Sequence, residues 1–414
     1  MNHFIKNIHI NKLFHLSDLD IPITDEKYPH LIITGKNGSG KTVLLNAISD
    51  FLDIVKGDSG KGYIDQPKKL KSLLQVLANS KNMKQREEIQ RDIDSYINKR
   101  MTKISGRVNI HSDWWGDILV KSKQGDFITT FYQADRKIRM IEPKNPTKPV
   151  YRKNGNVRET ATSQFLNFLS DLKIQQALAR NEKLTGEADE IGKWFEDFEK
   201  LLKEIFQDNN LKIEFNYKNY GFKIITNGKK FKFTQVSDGF AAVLDIVADL
   251  VLKMQGENSL SRTYHKEGVV LIDEIETHLH LELQKLIMPL LTKVFPNIQF
   301  IVTTHSPFVL SSMPNAIAYD LEKQQVLDDL TEYSYEALAE GYFGVKTQAS
   351  YLEMKLNDFK ELLAKDELTD AEMVELKQLK SDFEKINEAV SPLIVGEFQN
   401  VLIQNTEKIR RWNV

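Results

Sequence analysis

Short apolar runs separated by turn residues occupy the first 55 residues of the chain and return between 211 and 321. The runs at 31–34, 269–272 and 299–303 are apolar at nearly every position rather than alternately apolar and polar. Continuous apolar strands that alternate with helical stretches are typical of a parallel sheet that is buried on both faces. The pattern therefore predicts an α/β fold.

The middle and the end of the chain have a mostly helical pattern. Polar helical periodicity extends over 68–101, and apolar stripes at helical spacing run through 162–207. From 331 onward the pattern is again helical, and a capping box over Thr369–Glu372 predicts the start of a helix. Between the first two helical stretches, strands are predicted at 107–110, 118–121 and 127–132.

Composition narrows the class of protein. The 414 residues carry 56 Lys and Arg against 58 Asp and Glu, a formal net charge of −2, which excludes a uniformly basic nucleic-acid coat. The absence of cysteine excludes disulfides, thiolate catalysis and cysteine-ligated metals. No run reaches the roughly 18–20 apolar residues of a membrane span, and the first residues lack the apolar core of a signal peptide. We therefore expect a cytoplasmic protein with no membrane partner.

A glycine-rich motif lies between the apolar run at 31–34 and an apolar helix predicted at 43–55. Gly35–Thr42 fits the pattern G-x-x-x-x-G-K-[ST] in full, in the strand–loop–helix context of a P-loop. Glycines let backbone N–H groups converge on phosphate oxygens, and the helix N-terminus adds positive potential. Lys41 would bridge the β- and γ-phosphates of ATP, and Thr42 would bind Mg²⁺. The candidate nucleotide-binding residues are Gly35, Asn37, Gly38, Ser39, Gly40, Lys41 and Thr42.

Two adjacent carboxylates, Asp273 and Glu274, follow the apolar run at 269–272. At the end of a central strand, an aspartate can hold Mg²⁺ opposite Thr42, as a Walker-B acid does. The neighbouring glutamate suits a general base that polarises the attacking water. These acids could instead cap the following helix, but the P-loop motif favours the catalytic interpretation. Glu276 is a weaker candidate, which solvation at the surface explains equally well.

Two further motifs are ambiguous when they are read from the residues alone. Ser237–Gly239 precedes an apolar helix and could offer a hydroxyl and backbone donors to a γ-phosphate, but it is also an ordinary helix cap. His305 follows the apolar run at 299–303. A histidine there could report the presence of a γ-phosphate, or it could be purely structural.

The order of these motifs resembles the ABC-type ATPase head of the RecF/SMC/OLD group. The sequence LIDEIETHLH at 271–280 is very like the group's IDEPExHLHP strand, and TTHSP at 303–307 is like its TTHSP motif. Within the group, the sequence looks most like the compact ATPases of bacterial phage-defence systems such as Septu, retrons and PARIS. The resemblance covers roughly residues 1–60 and 210–322.

The resemblance implies a domain organisation. It implies an ABC-type P-loop ATPase head that is assembled from 1–55 and 210–322. A largely helical insertion with a few strands would occupy 56–209, and a helical C-terminal region would occupy 323–414. The chain would thus contain one discontinuous α/β domain with additions, not a series of independent folds.

The resemblance also implies roles for residues that the motifs alone leave open. Ser237 and Gly239 would contact the ATP that a partner protomer binds, so that two heads sandwich two nucleotides. His305 would be the switch histidine, and Gln133 would be the Q-loop residue near the metal. One departure from the group is the signature at 236–240, which reads VSDGF where the group has LSGGQ.

The implied function is Mg²⁺-dependent ATP hydrolysis that drives the association of heads in a homodimer or larger oligomer. In that setting the chain would control a co-encoded effector, a nuclease or toxin, in anti-phage defence. One alternative is a RecF-like ATPase that acts on DNA in repair or recombination. Another is a nucleotide-gated scaffold that binds ATP but barely hydrolyses it.

Two segments are basic although the whole chain is nearly neutral. Residues 61–107 carry 12 Lys and Arg against 5 Asp and Glu, and residues 135–159 carry 8 against 3. Such segments can contact nucleic-acid phosphates, although charged helix faces are more often simply solvated. Nucleic acid is therefore a second candidate partner beside the effector.

Overall fold

A computed structural model of the chain forms two compact units, residues 1–333 and 334–414. The described strands of the first unit are β1 (Asn7–Leu13), β2 (Leu16–Pro22), β3 (His30–Thr34), β4 (Val108–His111), β5 (Phe127–Tyr132), β6 (Lys212–Asn216), β7 (Gly221–Thr226), β8 (Lys229–Lys232), β9 (Glu267–Ile272), β10 (Ile298–Thr303), β11 (Ala316–Asp320) and β12 (Gln325–Leu327). The structure describes residues 4–23, 29–56, 68–80, 82–98, 106–135, 140–143, 157–158, 160–255, 266–327, 330, 337–338, 350–386 and 392–412.

The helices of the first unit connect and cover these strands. Within the described residues they are α1 (Lys41–Lys56), α2 (Lys68–Asn79), α3 (Met83–Tyr96), α4 (Trp115–Gln124), α5 (Phe165–Asn181), α6 (Thr185–Phe206), α7 (Asp238–Met254), α8 (Leu281–Val294) and α9 (Pro307–Leu310). Helix α7 is buried along almost its whole length.

The central sheet has six strands in the order β12-β11-β3-β10-β9-β5. Every pair except β11–β12 is parallel. All residues of β3, β5 and β10 are buried, because helices cover both faces of a parallel sheet. The α/β fold predicted from the continuous apolar runs is confirmed.

A second sheet of three antiparallel strands, in the order β2-β1-β4, packs with α1 and the central sheet around one apolar core. Both β4 and β5 come from within 56–209, the range expected to be an insertion. They are nonetheless hydrogen-bonded to β1 and β9, which come from the ranges expected to form the head. The sheets built from those ranges therefore also include strands from 56–209.

Gln299, the polar residue at the start of the run at 299–303, anchors the N-terminal segment. Gln299 is fully buried, and its amide donates to Ile5 O at 2.9 Å and to Pro29 O at 2.7 Å. Its Oε1 accepts the backbone N–H of Ile5 at 2.8 Å. These bonds satisfy a polar group that would be costly to bury alone, and they fix the start of the chain against the central sheet.

The third sheet is antiparallel, in the order β6-β7-β8, and lies beside α5 and α6. Aromatic side chains form the contact. Phe195 of α6 stacks on Phe222 of β7 with ring centroids 6.2 Å apart, and Trp194 stacks on Phe198 at 5.3 Å. The other face of this sheet is exposed.

The second unit is helical. Its described helices are α10 (Ser350–Ala364), α11 (Asp370–Glu384), α12 (Pro392–Gln404) and α13 (Thr406–Trp412). Phe359, Phe383 and Phe398 form the centre of its own apolar core. The capping box predicted over Thr369–Glu372 is confirmed, because Glu372 N–H donates to Thr369 Oγ1 and Thr369 N–H donates to the Glu372 carboxylate.

The helical pattern predicted over 68–101 forms two helices in the described part of this range, since α2 ends at Asn79 and the Asn82 side chain caps a new helix, α3. One prediction of secondary structure was wrong. The strand predicted at 118–121 is part of α4, which buries one helical face and is capped by Gly125 in the left-handed conformation (φ 81°). Among the described residues, no helix has the length and apolar character needed to cross a membrane. Parts of both basic segments, 61–67, 81, 99–105, 136–139, 144–156 and 159, lie outside the described residues.

Candidate functional site

The carboxyl ends of β3, β10, β9 and β5 meet at one edge of the central sheet. Thr304 N–H donates to Ile33 O at 3.0 Å, so the segment after β10 lies beside the end of β3. Asp273 N–H donates to Tyr132 O at 2.8 Å, which places the end of β9 beside the end of β5. The fold thereby brings together the loop at 35–42, Asp273, Glu274, His305 and Gln133.

The loop after β3 turns through three glycines with left-handed backbone conformations. Gly35, Gly38 and Gly40 have φ values of 132°, 85° and 101°, which residues with a side chain rarely adopt. A Cβ on Gly35 would lie 3.0 Å from Ser39 Oγ, so the loop is also closely packed. Ser39 Oγ is buried without a hydrogen-bond partner among the described residues. The loop has the closed shape and the orphaned donor of a phosphate cradle.

Lys41 is the first residue of α1, and its side chain folds back over the loop. Its Nζ donates to Gly35 O at 2.8 Å and to Lys36 O at 3.1 Å. Burial lowers the pKa of Lys41, and the carboxylates of Glu274, Glu276 and Asp273 partly offset that effect. The lysine thus lies in the field of the acids that follow β9. Thr42, next in the chain, is exposed.

One threonine orients both acids at the end of β9. Thr303 Oγ1 donates to Asp273 Oδ1 at 2.7 Å and accepts the backbone N–H of Glu274 at 2.8 Å. Asp273 is only 2% exposed, whereas Glu274 is half-buried and has a positive φ of 44°. Thr303 was not among the candidate residues, because its role depends on the pairing of β9 with β10 and not on a motif.

Glu276 has a defined structural task that the sequence did not reveal. Its Oε2 accepts the Thr304 hydroxyl at 2.7 Å, and its Oε1 accepts the backbone N–H of His305 at 2.5 Å. The side chain is half-buried. Glu276 therefore holds the segment that carries His305. Solvation at the surface, the alternative explanation for this acid, does not account for its position.

His305 is half-buried at the same edge of the sheet. Burial lowers the pKa of its imidazole below the usual 6.5, and the Lys41 ammonium lowers it further. The ring is therefore mainly neutral at pH 7, with one nitrogen that can donate and one that can accept. A neutral imidazole beside a P-loop lysine can hydrogen-bond to a phosphate oxygen without adding charge.

Ser237 and Gly239 lie at the N-terminus of α7. Gly239 is buried, and a Cβ at this position would lie 2.8 Å from His278 O, in the loop that follows Glu274. Ser237 is exposed and its side chain makes no capping hydrogen bond to α7. Among the described residues, no hydrogen bond joins its hydroxyl to the loop at 35–42. The structure thus brings Gly239, but not the Ser237 hydroxyl, into contact with the loop that follows Glu274.

A buried hydrogen bond fixes α7 to the end of β5. Tyr132 OH donates to Asp249 Oδ2 at 2.6 Å, and both side chains are almost completely buried. Burial and the Asp249 charge hold the pKa of Tyr132 well above its usual value. Gln133, which follows Tyr132, is exposed and lies beside the end of β9. The helix that begins with Ser237–Gly239 and the strand that ends at Gln133 are therefore linked directly.

Comparison with known families is consistent with this arrangement. The family model described as "AAA domain, putative AbiEii toxin, Type IV TA system" matches residues 31–311, which is more than half of the chain. The chain belongs to this AAA-domain family. The matched region begins in β3 and ends after α9, and it therefore includes every candidate residue of the site.

Two curated relatives of this AAA-domain protein come from the retron and Septu systems that the motifs resemble. It is 34% identical over 117 residues to "Retron Vc95 probable ATPase" of Vibrio cholerae serotype O1 biovar El Tor, covering 28% of this chain and 21% of that protein. It is 23% identical over 425 residues to "Septu protein PtuA" of Bacillus mycoides (strain KBAB4), covering 99% and 55%. The chain thus spans about half of PtuA and less of the retron protein. The expected resemblance to these ATPases is confirmed.

A solved structure also aligns with the chain. "Crystal structure of the SmcHead bound to the C-winged helix domain of ScpA" matches with a TM-score of 0.39 and 13% identity, covering 78% of this chain and 97% of that one.

Proposed function

We propose that this chain binds ATP with Mg²⁺, hydrolyses it, and couples the nucleotide state to the association of two heads. The observation that supports this most strongly is the meeting of the loop at 35–42, the Asp273–Glu274 pair and His305 at one edge of the sheet. Phosphate, metal and water must lie close together for hydrolysis. The loop would hold the phosphates, Asp273 the metal and Glu274 the water, and His305 would hydrogen-bond to a phosphate oxygen.

The residues of the loop fit a triphosphate. The left-handed glycines turn backbone N–H groups into the loop, and the N-terminus of α1 faces it. The buried Ser39 Oγ has no partner within the described residues and is a further donor. The Lys41 ammonium donates hydrogen bonds to two backbone carbonyl oxygens. It would donate to phosphate oxygens instead when ATP binds, at little cost in desolvation, because the side chain is already buried.

The oxygen donors beside the loop fit a magnesium ion. Thr42 and Asp273 would hold it, with Gln133 as a third donor, and the ion would neutralise charge on the β- and γ-phosphates. Thr303 keeps the Asp273 carboxylate in one orientation. Both oxygens of Glu276 accept hydrogen bonds from the 304–305 segment, which favours Glu274 as the base that takes a proton from water.

Completion of the site requires a second head. The exposed Ser237 hydroxyl at the N-terminus of α7 supports a contact with the nucleotide of a partner protomer. A homodimer with two sandwiched ATP molecules would then form and separate as ATP is bound and hydrolysed. The likeness to Septu and retron proteins supports control of a co-encoded effector, a nuclease or toxin, in anti-phage defence.

The test is a comparison of purified variants by phosphate release and by light scattering with ATP and Mg²⁺. We expect Lys41→Ala to abolish ATP binding, and Glu274→Gln to bind ATP, lose turnover and accumulate as a dimer. Glu282→Gln, an exposed glutamate in the first turn of α8, is the matched control and should behave as the unaltered chain. Unchanged turnover in Glu274→Gln would contradict the assignment of the base, and failure of the unaltered chain to bind ATP would overturn the whole proposal.

A further inference from the structure

The exposed face of the third sheet carries four lysines, which we call the lysine face: Lys212, Lys223, Lys230 and Lys232. Strand register brings them together, because Lys223 is paired with Glu214 of β6 on one side and with Lys232 of β8 on the other. In the next row of the sheet, Ile225 of β7 is paired with Lys212 and Lys230. Residues in one row of a sheet, and residues two positions along a strand, share a face.

The two faces of this sheet differ completely in chemistry. The intervening residues of β7, Phe222 and Ile224, are almost fully buried against the helices. All four residues of the lysine face are exposed. Residues 210–232 contain six lysines and one glutamate, although the whole chain has a net charge of only −2. The local excess of positive charge is therefore concentrated on one flat surface.

Few acids neutralise this surface. Glu214 forms an ion pair with Lys230, and Glu142 lies near one end of β7, where it accepts the Thr234 hydroxyl at 3.0 Å. In the part of the chain that the structure describes, Lys212, Lys223 and Lys232 form no ion pair within 4.0 Å. Like charges directly opposite each other destabilise an antiparallel pair. The Lys223–Lys232 pair therefore lowers the stability of the fold. Because both side chains are exposed, packing in the core does not explain why two lysines lie opposite each other.

We infer that the lysine face binds the phosphate backbone of a nucleic acid. Closely spaced ammonium groups that lack acidic partners gain most from a polyanion, because binding releases its condensed counterions. Lysine is depleted in protein–protein interfaces, where arginine and aromatic residues dominate, so the composition favours nucleic acid over an acidic protein. Tyr217, 73% exposed in the turn between β6 and β7, is a group on which an unpaired base can stack.

The decisive variant replaces the three unpaired lysines by glutamine: Lys212→Gln, Lys223→Gln and Lys232→Gln. The control replaces three exposed lysines of α2 in the same way: Lys68→Gln, Lys69→Gln and Lys71→Gln. Binding of a labelled oligothymidylate of about twenty nucleotides, longer than one small domain covers, is measured by fluorescence anisotropy from about 50 to 200 mM NaCl. Thermal unfolding of each protein is measured in parallel.

We expect the lysine-face variant to bind at least about tenfold more weakly, with a salt dependence shallower by about 2 in slope, since each lost phosphate contact contributes about 0.7. Its thermal stability should be equal or higher, because like charges have been removed, so the loss cannot be attributed to unfolding. Loss of binding in the α2 control alone would overturn the proposal. So would tighter binding of polyglutamate than of the oligonucleotide at equal salt, or no binding of the oligonucleotide by the unaltered chain.

Discussion

Thr303 donates its hydroxyl proton to the buried carboxylate of Asp273 at 2.7 Å. The same oxygen accepts the backbone N–H of Glu274, so one side chain of β10 orients two successive acids at the end of β9. A hydroxyl is suited to this because it donates one hydrogen bond and accepts others. The geometry of the proposed metal ligand and that of the proposed base are thus determined together.

Substitution of Thr303 by valine should separate the two acids from their common support. Valine preserves the shape but leaves the Glu274 N–H and the Asp273 carboxylate without this partner, which should lower the free energy of unfolding by about 2 kcal/mol. We expect ATP turnover to fall at least about tenfold, because small misplacements of reacting groups are costly. Denaturant titration and phosphate release measure the two effects. Thr303→Ser retains the hydroxyl, and a large loss of turnover in that variant would show that the hydroxyl is not what matters.

Glu276 should act as a positioning residue for His305. Glu276→Ala removes both acceptors from the Thr304–His305 segment, and we expect kcat to fall about tenfold or more with a smaller effect on KM for ATP. Glu276→Gln can still accept the His305 N–H and donate to Thr304 Oγ1, and it should restore most of the turnover. Steady-state kinetics over a range of ATP concentrations distinguish the two constants. Equal loss in both variants would show that the negative charge, not the hydrogen bonding, is required.

The motifs identified the elements of the site but not the residues that support them. The run at 127–132 forms β5 with the predicted bounds, and the P-loop context is as expected, because such patterns are local. Thr303 and Glu276 act across strands that are distant in sequence, so only the pairing of β9 with β10 reveals them. The lysine face was not predicted for the same reason, since its lysines come from three different strands. At 118–121 burial beside Trp115 outweighed local strand propensity.

The stability of the first unit should depend on the protonation of Asp94. Burial raises the pKa of this carboxyl from 3.8 to about 6, although Gln90 and the backbone N–H groups of Trp115 and Gly116 hydrogen-bond to it. The folded state therefore binds the proton more tightly than the unfolded state, and stability falls as pH rises through this interval. From about pH 5 to pH 7, we expect the unaltered chain to lose about 1 kcal/mol relative to Asp94→Asn. Urea titrations at both pH values test this, and a difference that does not change with pH would contradict it.

Helix α7 lies close to the loop that follows Glu274, and Gly239 should therefore tolerate no side chain. A Cβ at Gly239 would lie 2.8 Å from His278 O. This is a steric clash with the backbone, so backbone atoms would have to move to relieve it. We expect Gly239→Ala to cost about 1–3 kcal/mol of stability, as overpacking does. Because the displacement occurs beside Ser237, ATP-dependent association should also weaken.

The matched control for Gly239 is Gly186, a helical glycine of α6 in the same unit, where an added Cβ meets no atom within 4 Å. Gly186→Ala should change the free energy of unfolding by no more than about 0.5 kcal/mol and leave association unchanged. Denaturant titration and light scattering with ATP are measured for both variants. If Gly239→Ala is as stable as the control but fails to associate, the glycine contacts the partner rather than the loop. If both variants associate normally, the N-terminus of α7 is not part of the interface between heads.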